Sequence, residues 1–246
     1  MIDFTNCPVT VNGNTILASD VSISVSNSRK ALTQHGNQGS FGQAPQDRIK
    51  GSVSISYHIT GSDSEMRDLT GINVFDVNVG PFNCYSGVLS SYSLSIEPYS
   101  VVTCNAEIEF FGGYDQTGST SSIGKPSGFI HGGVSTVDTD LLWNNDIISA
   151  TYSISQSIEP YYKLGEYVPC AYKRTEGSIN VSLEGTGFGK IISTPCEGFT
   201  SGTLNLTGLC SDFGTSIDFS GFVVNPSVSL SQGEEVRGSL QIYDTF

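Results

Sequence analysis

Apolar and polar residues alternate one for one through most of the strand-length stretches of this chain. Val21, Ile23 and Val25 are separated by Ser22 and Ser24, Val53, Ile55 and Tyr57 by Ser54 and Ser56, and Leu94 and Ile96 by Ser95. Ala106, Ile108 and Phe110 are separated by Glu107 and Glu109. The second half continues with Tyr152 and Ile154, with Ile179, Val181 and Leu183, with Val228 and Leu230, and with Leu240 and Ile242. A period of two sends one set of side chains to a buried face and the other to water, as antiparallel strands covered on one side require. Strands buried on both faces would read as unbroken apolar runs instead. Helix formers are scarce. Charged residues make up only 14%, and Gly, Ser and Thr fill the difference. The expectation is an all-β protein with at most one or two short helices. The best helix start is Ser62–Leu69 (SDSEMRDL), where Ser62 or Asp63 can cap the first turn.

The alternation also repeats in order. Ser22–Ser28 (SISVSNS) matches Thr151–Ser157 (TYSISQS) at an offset of 129. Gly51–Gly61 (GSVSISYHITG) matches Gly177–Gly187 (GSINVSLEGTG) at 126, and Ser86–Ile96 (SGVLSSYSLSI) matches Ser220–Leu230 (SGFVVNPSVSL) at 134. Phase is kept as well as order: Val53 falls on Ile179, Ile55 on Val181, and Leu94 on Val228. A slip of one residue would send a whole set to the wrong face. Two copies are too few for a solenoid and suit two similar domains in something symmetric. We therefore expect two tandem antiparallel β-sandwich or barrel domains, residues 1–113 and 135–246. The Gly/Ser/Thr-rich stretch 114–134 would link them. Halves of this length can each bury a core.

Net charge is −13, with 11 Lys+Arg against 24 Asp+Glu. No basic run is available to neutralise phosphates, so a nucleic-acid-gripping surface is not expected. Met1–Pro8 (MIDFTNCP) has neither a basic nor an apolar region of the kind that marks a signal peptide, and no apolar stretch approaches membrane-spanning length. A cytoplasmic chain follows as an expectation, with Cys7, Cys84, Cys104, Cys170, Cys196 and Cys210 as free thiols, largely in the core. A Cys196–Cys210 pair across a hairpin stays open.

Between the first two strands of each half lies a long excursion, Arg29–Lys50 and Ile158–Glu176, of 22 and 19 residues. Connections this long are usually functional. Seven of the 11 basic residues sit in them: Arg29, Lys30, Arg48, Lys50, Lys163, Lys173 and Arg174. Phe41, Tyr161, Tyr162, Tyr167 and Tyr172 add aromatic surface. Tyr and Arg are enriched where proteins meet, so these loops are the expected contacts between subunits or rings.

No catalytic chemistry stands out. The chain has no GxSxG, HExxH, Walker A or paired CxxC. His35, His58 and His131 lack a ligand partner at metal spacing, and Asp138 and Asp140 are followed by Leu141, Leu142 and Trp143, which supply no further oxygen ligands. Glu107 and Glu109 share the polar face of one strand, where charge is ordinary. We expect no enzyme, no cofactor and no metal.

The order strand, long loop, strand, short helix, strand pair over Val21–Ser28, Arg29–Lys50, Gly51–Thr60, Ser62–Leu69 and Ser86–Phe111 resembles the tail tube proteins of tailed bacteriophages. The segment Ser90–Gly113 (SSYSLSIEPYSVVTCNAEIEFFGG) is the part most similar to them. The resemblance covers most of the first half and about two thirds of the second. It implies β-sandwich or barrel domains arranged six to a ring, with inner sheets joined edge to edge and the long loop reaching the next ring. With two domains per chain, a ring would be a homotrimer with pseudo-sixfold symmetry. Its partners would be itself and other tail proteins such as tape measure, sheath or baseplate. DNA would pass a negative bore without specific binding, and the protein would sit in the virion tail. The alternatives are a tail-terminal, neck or baseplate ring of the same fold, and a carbohydrate-binding or decoration β-sandwich of the virion.

Overall fold

A computed structural model describes residues 8–27, 29–33, 40–45, 49–59, 64–67, 69–97, 100–118, 136–139, 147–166, 168–186, 199–207, 214–229 and 237–246. The first half contributes strands β1 (Val9–Val11), β2 (Asn14–Ile16), β3 (Ala18–Ser26), β4 (Arg29–Thr33), β5 (Ser40–Pro45), β6 (Lys50–His58), β7 (Phe75–Val79), β8 (Phe82–Ile96), β9 (Thr103–Phe110) and β10 (Tyr114–Asp115). One helical turn, α1 (Ser64–Arg67), falls inside the expected helix. The second half adds β11 (Thr136–Thr139), β12 (Ile147–Tyr161), β13 (Ala171–Thr186), β14 (Phe199–Thr207), β15 (Gly214–Ser229) and β16 (Arg237–Thr245). The all-β expectation holds, and every ladder between these strands is antiparallel.

Among the described residues, fourteen strands form one sheet, and β4–β5 form a separate hairpin. In the first half, hydrogen-bonded neighbours run β1-β7-β8-β9-β6-β3. In the second they run β11-β14-β15-β16-β13-β12. Taken in chain order, the two paths are the same. The halves join where β8 lies beside β12, Ser91–Ile96 against Ala150–Ser155. Two six-strand paths thus share a seam.

The long strand β8 makes this geometry possible. Gly87 pairs with both Phe75 and Phe110, so β7 and β9 flank it on opposite sides. Ser91 pairs with both Glu107 and Ser155, so β12 takes the side that β7 held a few residues earlier. One edge of β8 therefore serves two neighbours in succession, and the strand passes from one layer into another. A bulge between Leu89 and Ser91 falls at the changeover, as bends of this kind favour. β15 repeats part of the arrangement: Gly214–Phe222 pairs with β14 on one edge, Phe222–Ser229 with β16 on the other, and an irregularity falls between Val224 and Ser227.

The layers close on one core. Val9, Val11, Val77 and Val79 pack in the same cluster as Val53, Ile55, Leu94, Ile108, Tyr152, Val181, Leu183, Leu204, Ile217, Leu240 and Ile242. Met66 and Leu69 bring the helical turn onto it. Each such side chain contributes about 1.5–3 kcal/mol through removal from water. Two glycines let an aromatic ring lie flat on a strand. A Cβ at Gly51 would strike the Phe110 ring, and one at Gly177 would lie 2.9 Å from the Phe246 ring. Both glycines stand at the start of the second matched segment.

The two long excursions are not loops. The first contains the β4–β5 hairpin, and the second continues the β12–β13 ladder, past a bulge between Ser157 and Ile158, as far as Tyr161 and Ala171. Polar residues and Gly concealed the strand structure, and in the second excursion only Ile158 and Tyr172 reach an apolar cluster, too few to set a legible period.

Candidate functional site: a polar sheet face with two open edges

Side chains on the face away from the core form a nearly continuous polar surface across eight strands. It runs from Ser22, Ser24 and Ser26 on β3 through Ser52, Ser54 and Ser56 on β6 and Asn105 on β9. Ser91, Ser93 and Ser95 on β8 lead to Ser153 and Ser155 on β12, and then to Ser178, Asn180 and Ser182 on β13 and Gln241 on β16. Ser227 and Ser229 on β15 complete it. Many of these groups satisfy one another. Ser56 Oγ donates to Asn105 Oδ1 at 2.7 Å, Ser155 and Ser178 share a bond of 2.9 Å, and Ser227 and Ser239 share one of 2.8 Å. Ser153 Oγ donates to the Asn180 carbonyl at 3.2 Å. A surface whose hydroxyls already bond across strands is wet but offers little to a specific ligand.

The charge on this face is acidic. Asp20, Glu107, Glu109 and Glu184 lie on it, against Lys50 and Arg237 where β6 and β16 begin. Glu109 is half-buried, and its carboxyl is held above the usual range, first by burial and then by the neighbouring Glu107 charge, with Lys50 opposing. The Asp115 carboxylate lies elsewhere, tying β10 to β8. It accepts from Tyr85 Oη at 2.5 Å, Asn83 Nδ2 at 2.9 Å, Thr117 N at 3.0 Å and Thr117 Oγ1 at 2.8 Å. Those donors, Tyr85 foremost, pull its pKa down to about 2, which marks a structural clamp rather than an acid–base catalyst.

At the seam the face is sealed. Tyr92, Leu94 and Ile96 from β8 and Ala150, Tyr152 and Ile154 from β12 are all buried beneath it. Gln156 extends the pairing with its side chain. Its Nε2 donates to the Leu89 carbonyl and, at 3.3 Å, to the Gly71 carbonyl, while Oε1 accepts from Gly71 N at 3.0 Å. On the polar side, Val88 and Phe111 meet Ile158 and Tyr172 from the base of the β12–β13 hairpin in a small apolar cluster. Among the described residues, the outer edge of β3 and the outer edge of β15 beyond Phe222 pair with no strand.

The basic and aromatic residues expected at contacts distribute as follows. Arg29 and Lys30 pair with Pro45 and Ala44 in the β4–β5 hairpin, and Phe41 is the extra residue at that hairpin's bulge. Lys50 opens β6, where its carbonyl accepts from Ser26 Oγ at 3.3 Å. Arg48 and Tyr167 lie outside the described residues. Tyr161 ends β12, and Tyr162 and Lys163 enter the turn beyond it. The tip exposes Leu164 completely, at 104%, along with Val168 and Tyr161. Lys173 pairs with Glu159 on the exposed part of the hairpin. Two of the set pack on aromatic rings: Tyr172 lies against Phe111 with ring centroids 6.1 Å apart, and the Arg174 guanidinium sits 4.5 Å over the Phe246 ring. Cys84 and Cys104 are buried as expected, with burial pushing the Cys84 thiol up to about 11, but Cys170 is exposed on the hairpin. Cys7, Cys196, Cys210, His35, His131, Asp140 and Trp143 lie outside the described residues.

Among the described residues no group of three His, Cys, Asp or Glu gathers as metal ligands, and no helix is long and apolar enough to cross a membrane. A scan against protein-family models matches none, and a search of curated proteins finds no match.

Proposed function

We propose that this chain is a virion structural protein whose three copies close a pseudo-hexameric ring of a phage tail tube. The polar face would line the bore. The observation that carries this reading is the recurrence of one six-strand path within a single chain, with the first path's β8 edge taking the second path's β12. A duplicated unit that pairs head to tail within a chain can pair head to tail between chains. Rotation then closes a ring and covers the edges of β3 and β15. A hydroxyl-rich, net acidic face repels phosphates and gives DNA nothing to hold, which is what a conduit needs. The exposed apolar tip at Leu164 and Val168 supports stacking of one ring on the next. Negative-stain microscopy of the purified chain tests the proposal. Hollow rings or tubes with a central channel are expected, and solid monomeric particles at high concentration would end it. Long tubes would favour a tube protein, and single rings a terminal or neck ring.

A further inference from the structure

The sealed seam inside the chain is a template for a surface that is open at the chain's far side. By the offset of 134, Phe222 stands where Val88 stands, Val223 where Leu89 stands, and Ser227 and Ser229 where Ser93 and Ser95 stand. Val88 is buried beneath the β12–β13 hairpin base, whereas Phe222 is 55% exposed. Beside it Tyr243, its partner across the ladder, is 42% exposed and Phe246 is 40% exposed. Tyr243 and Phe246, with Ser155–Ser157 of β12 and Thr175–Ser178 of β13, line an open groove of about 670 Å³ that continues this face. By the offset of 129, β3 is the counterpart of β12. Its Val25 is 40% exposed where Ile154 is buried, and Leu32 and Ile49 beyond it are exposed as well.

We infer that Phe222 and Tyr243, with the outer edge of β15 beyond Phe222, form the docking site for β3 and the following hairpin of a second copy of this chain. The inference rests on the ring reading above and gives it a register. The internal pairs Thr151–Ser95 and Ser153–Ser93 translate into Ser22–Ser229 and Ser24–Ser227 between copies. Tyr152–Leu94 translates into Ile23–Val228, which keeps apolar residues on the core side. Gln156, whose amide caps the Leu89 carbonyl, corresponds to Asn27, an exposed amide placed to do the same for the Val223 carbonyl of the neighbour. The occupant is identified by this correspondence. The site repeats the strand order and edge direction of one that a matching segment already fills, and main-chain pairing supplies affinity while the Phe222 and Tyr243 rings supply selectivity.

Cysteine pairs in the full chain test the register. Cα atoms across an antiparallel pair lie about 4.5–5.5 Å apart, within disulfide reach. In a Cys170→Ser background, Ser24→Cys with Ser227→Cys is expected to yield covalent trimers on a non-reducing gel after mild oxidation. Each single variant should give none, and neither should the pair Ser24→Cys with Ser216→Cys. In parallel, Phe222→Ser should shift the assembly midpoint roughly tenfold or more toward monomer with an unchanged far-ultraviolet spectrum, and Ile72→Ser should leave it in place. Rings seen by microscopy without the Ser24–Ser227 link, or full assembly by Phe222→Ser, would overturn this docking site and leave the ring reading standing. The link formed only in open chains that never close would support the docking site and overturn the ring.

Discussion

The seam between β8 and β12 and the open edges of β3 and β15 are built from matching sequence, yet they differ in almost every structural respect. At the seam, Leu94 and Tyr152 are buried, the hydroxyls above them bond to neighbours, and Gln156 caps the last free carbonyl. At the edges, Val21, Ile23, Val223 and Val228 keep the same alternation but stay partly in water. The pattern that qualifies a strand for a core does not bury it. A second strand on the open side does, and inside the chain only one of the two equivalent places has one.

That contrast can be broken most sharply by truncating matched apolar residues. Leu94→Ala should destabilise the isolated chain by about 2–5 kcal/mol in urea unfolding, the range for emptying a closed core site. Val228→Ala at the matched place should cost less than about 1 kcal/mol in the monomer, because that site is already half open. Equal losses would mean that the two edges are alike in solution and the comparison is wrong.

The amide positions sharpen it next. Gln156→Leu leaves the Leu89 carbonyl and both Gly71 groups without their partner, and should cost about 1–3 kcal/mol. Asn27→Leu should change monomer stability by less than about 0.5 kcal/mol, as an exposed substitution does. If Asn27 has the role inferred above, that variant weakens assembly instead, which ultracentrifugation at several concentrations would read.

Smaller effects come from charge. Glu109 titrates above its ordinary value in the folded chain, so its ionised form opposes folding at neutral pH. Glu109→Gln should therefore raise the thermal midpoint slightly at pH 7, and the gain should fade as acid protonates the wild-type carboxyl. Asp115 has the opposite sign. Its folded pKa of about 2 lies below the ordinary 3.8, so its contribution is present above that ordinary value and is lost as the pH falls toward 2. Asp115→Asn should flatten that acid limb of a pH–stability profile without altering its neutral-to-alkaline shape.

Much of the fold was legible beforehand. Strands β3, β6, β8, β9, β12, β13 and β16 were each marked by alternation, and the polar sides of β6 and β9 fell where Ser54 and Glu107 predicted. The hairpins hidden in the two excursions were not legible, because Ile158 and Tyr172 alone reach an apolar cluster from the second and two positions do not make a readable period. The candidate site was legible only in fragments. Gln156 reads as one more polar residue until the Leu89 carbonyl is seen beneath it, although its match to Asn27 in the repeated SNS and SQS was a usable signal. Phe222 likewise stood opposite Val88 in the matched segments, and only the difference in exposure makes that position informative. Arg174 and Tyr172 resemble free contact residues in sequence and turn out to pack on Phe246 and Phe111.

Sequence alone determined the faces: which residues of each strand seek water and which seek a core follows from a period of two and needs no neighbour. Tertiary structure alone decided the neighbours, namely that β8 turns from β7 to β12, that two excursions become hairpins, and that one edge is sealed while its counterpart is left open. The reason is that strands are joined by backbone N–H and C=O groups, which every residue but proline carries alike. Side-chain order can state that a strand has a buried side, but the choice of partner rests on how distant segments close over a shared core.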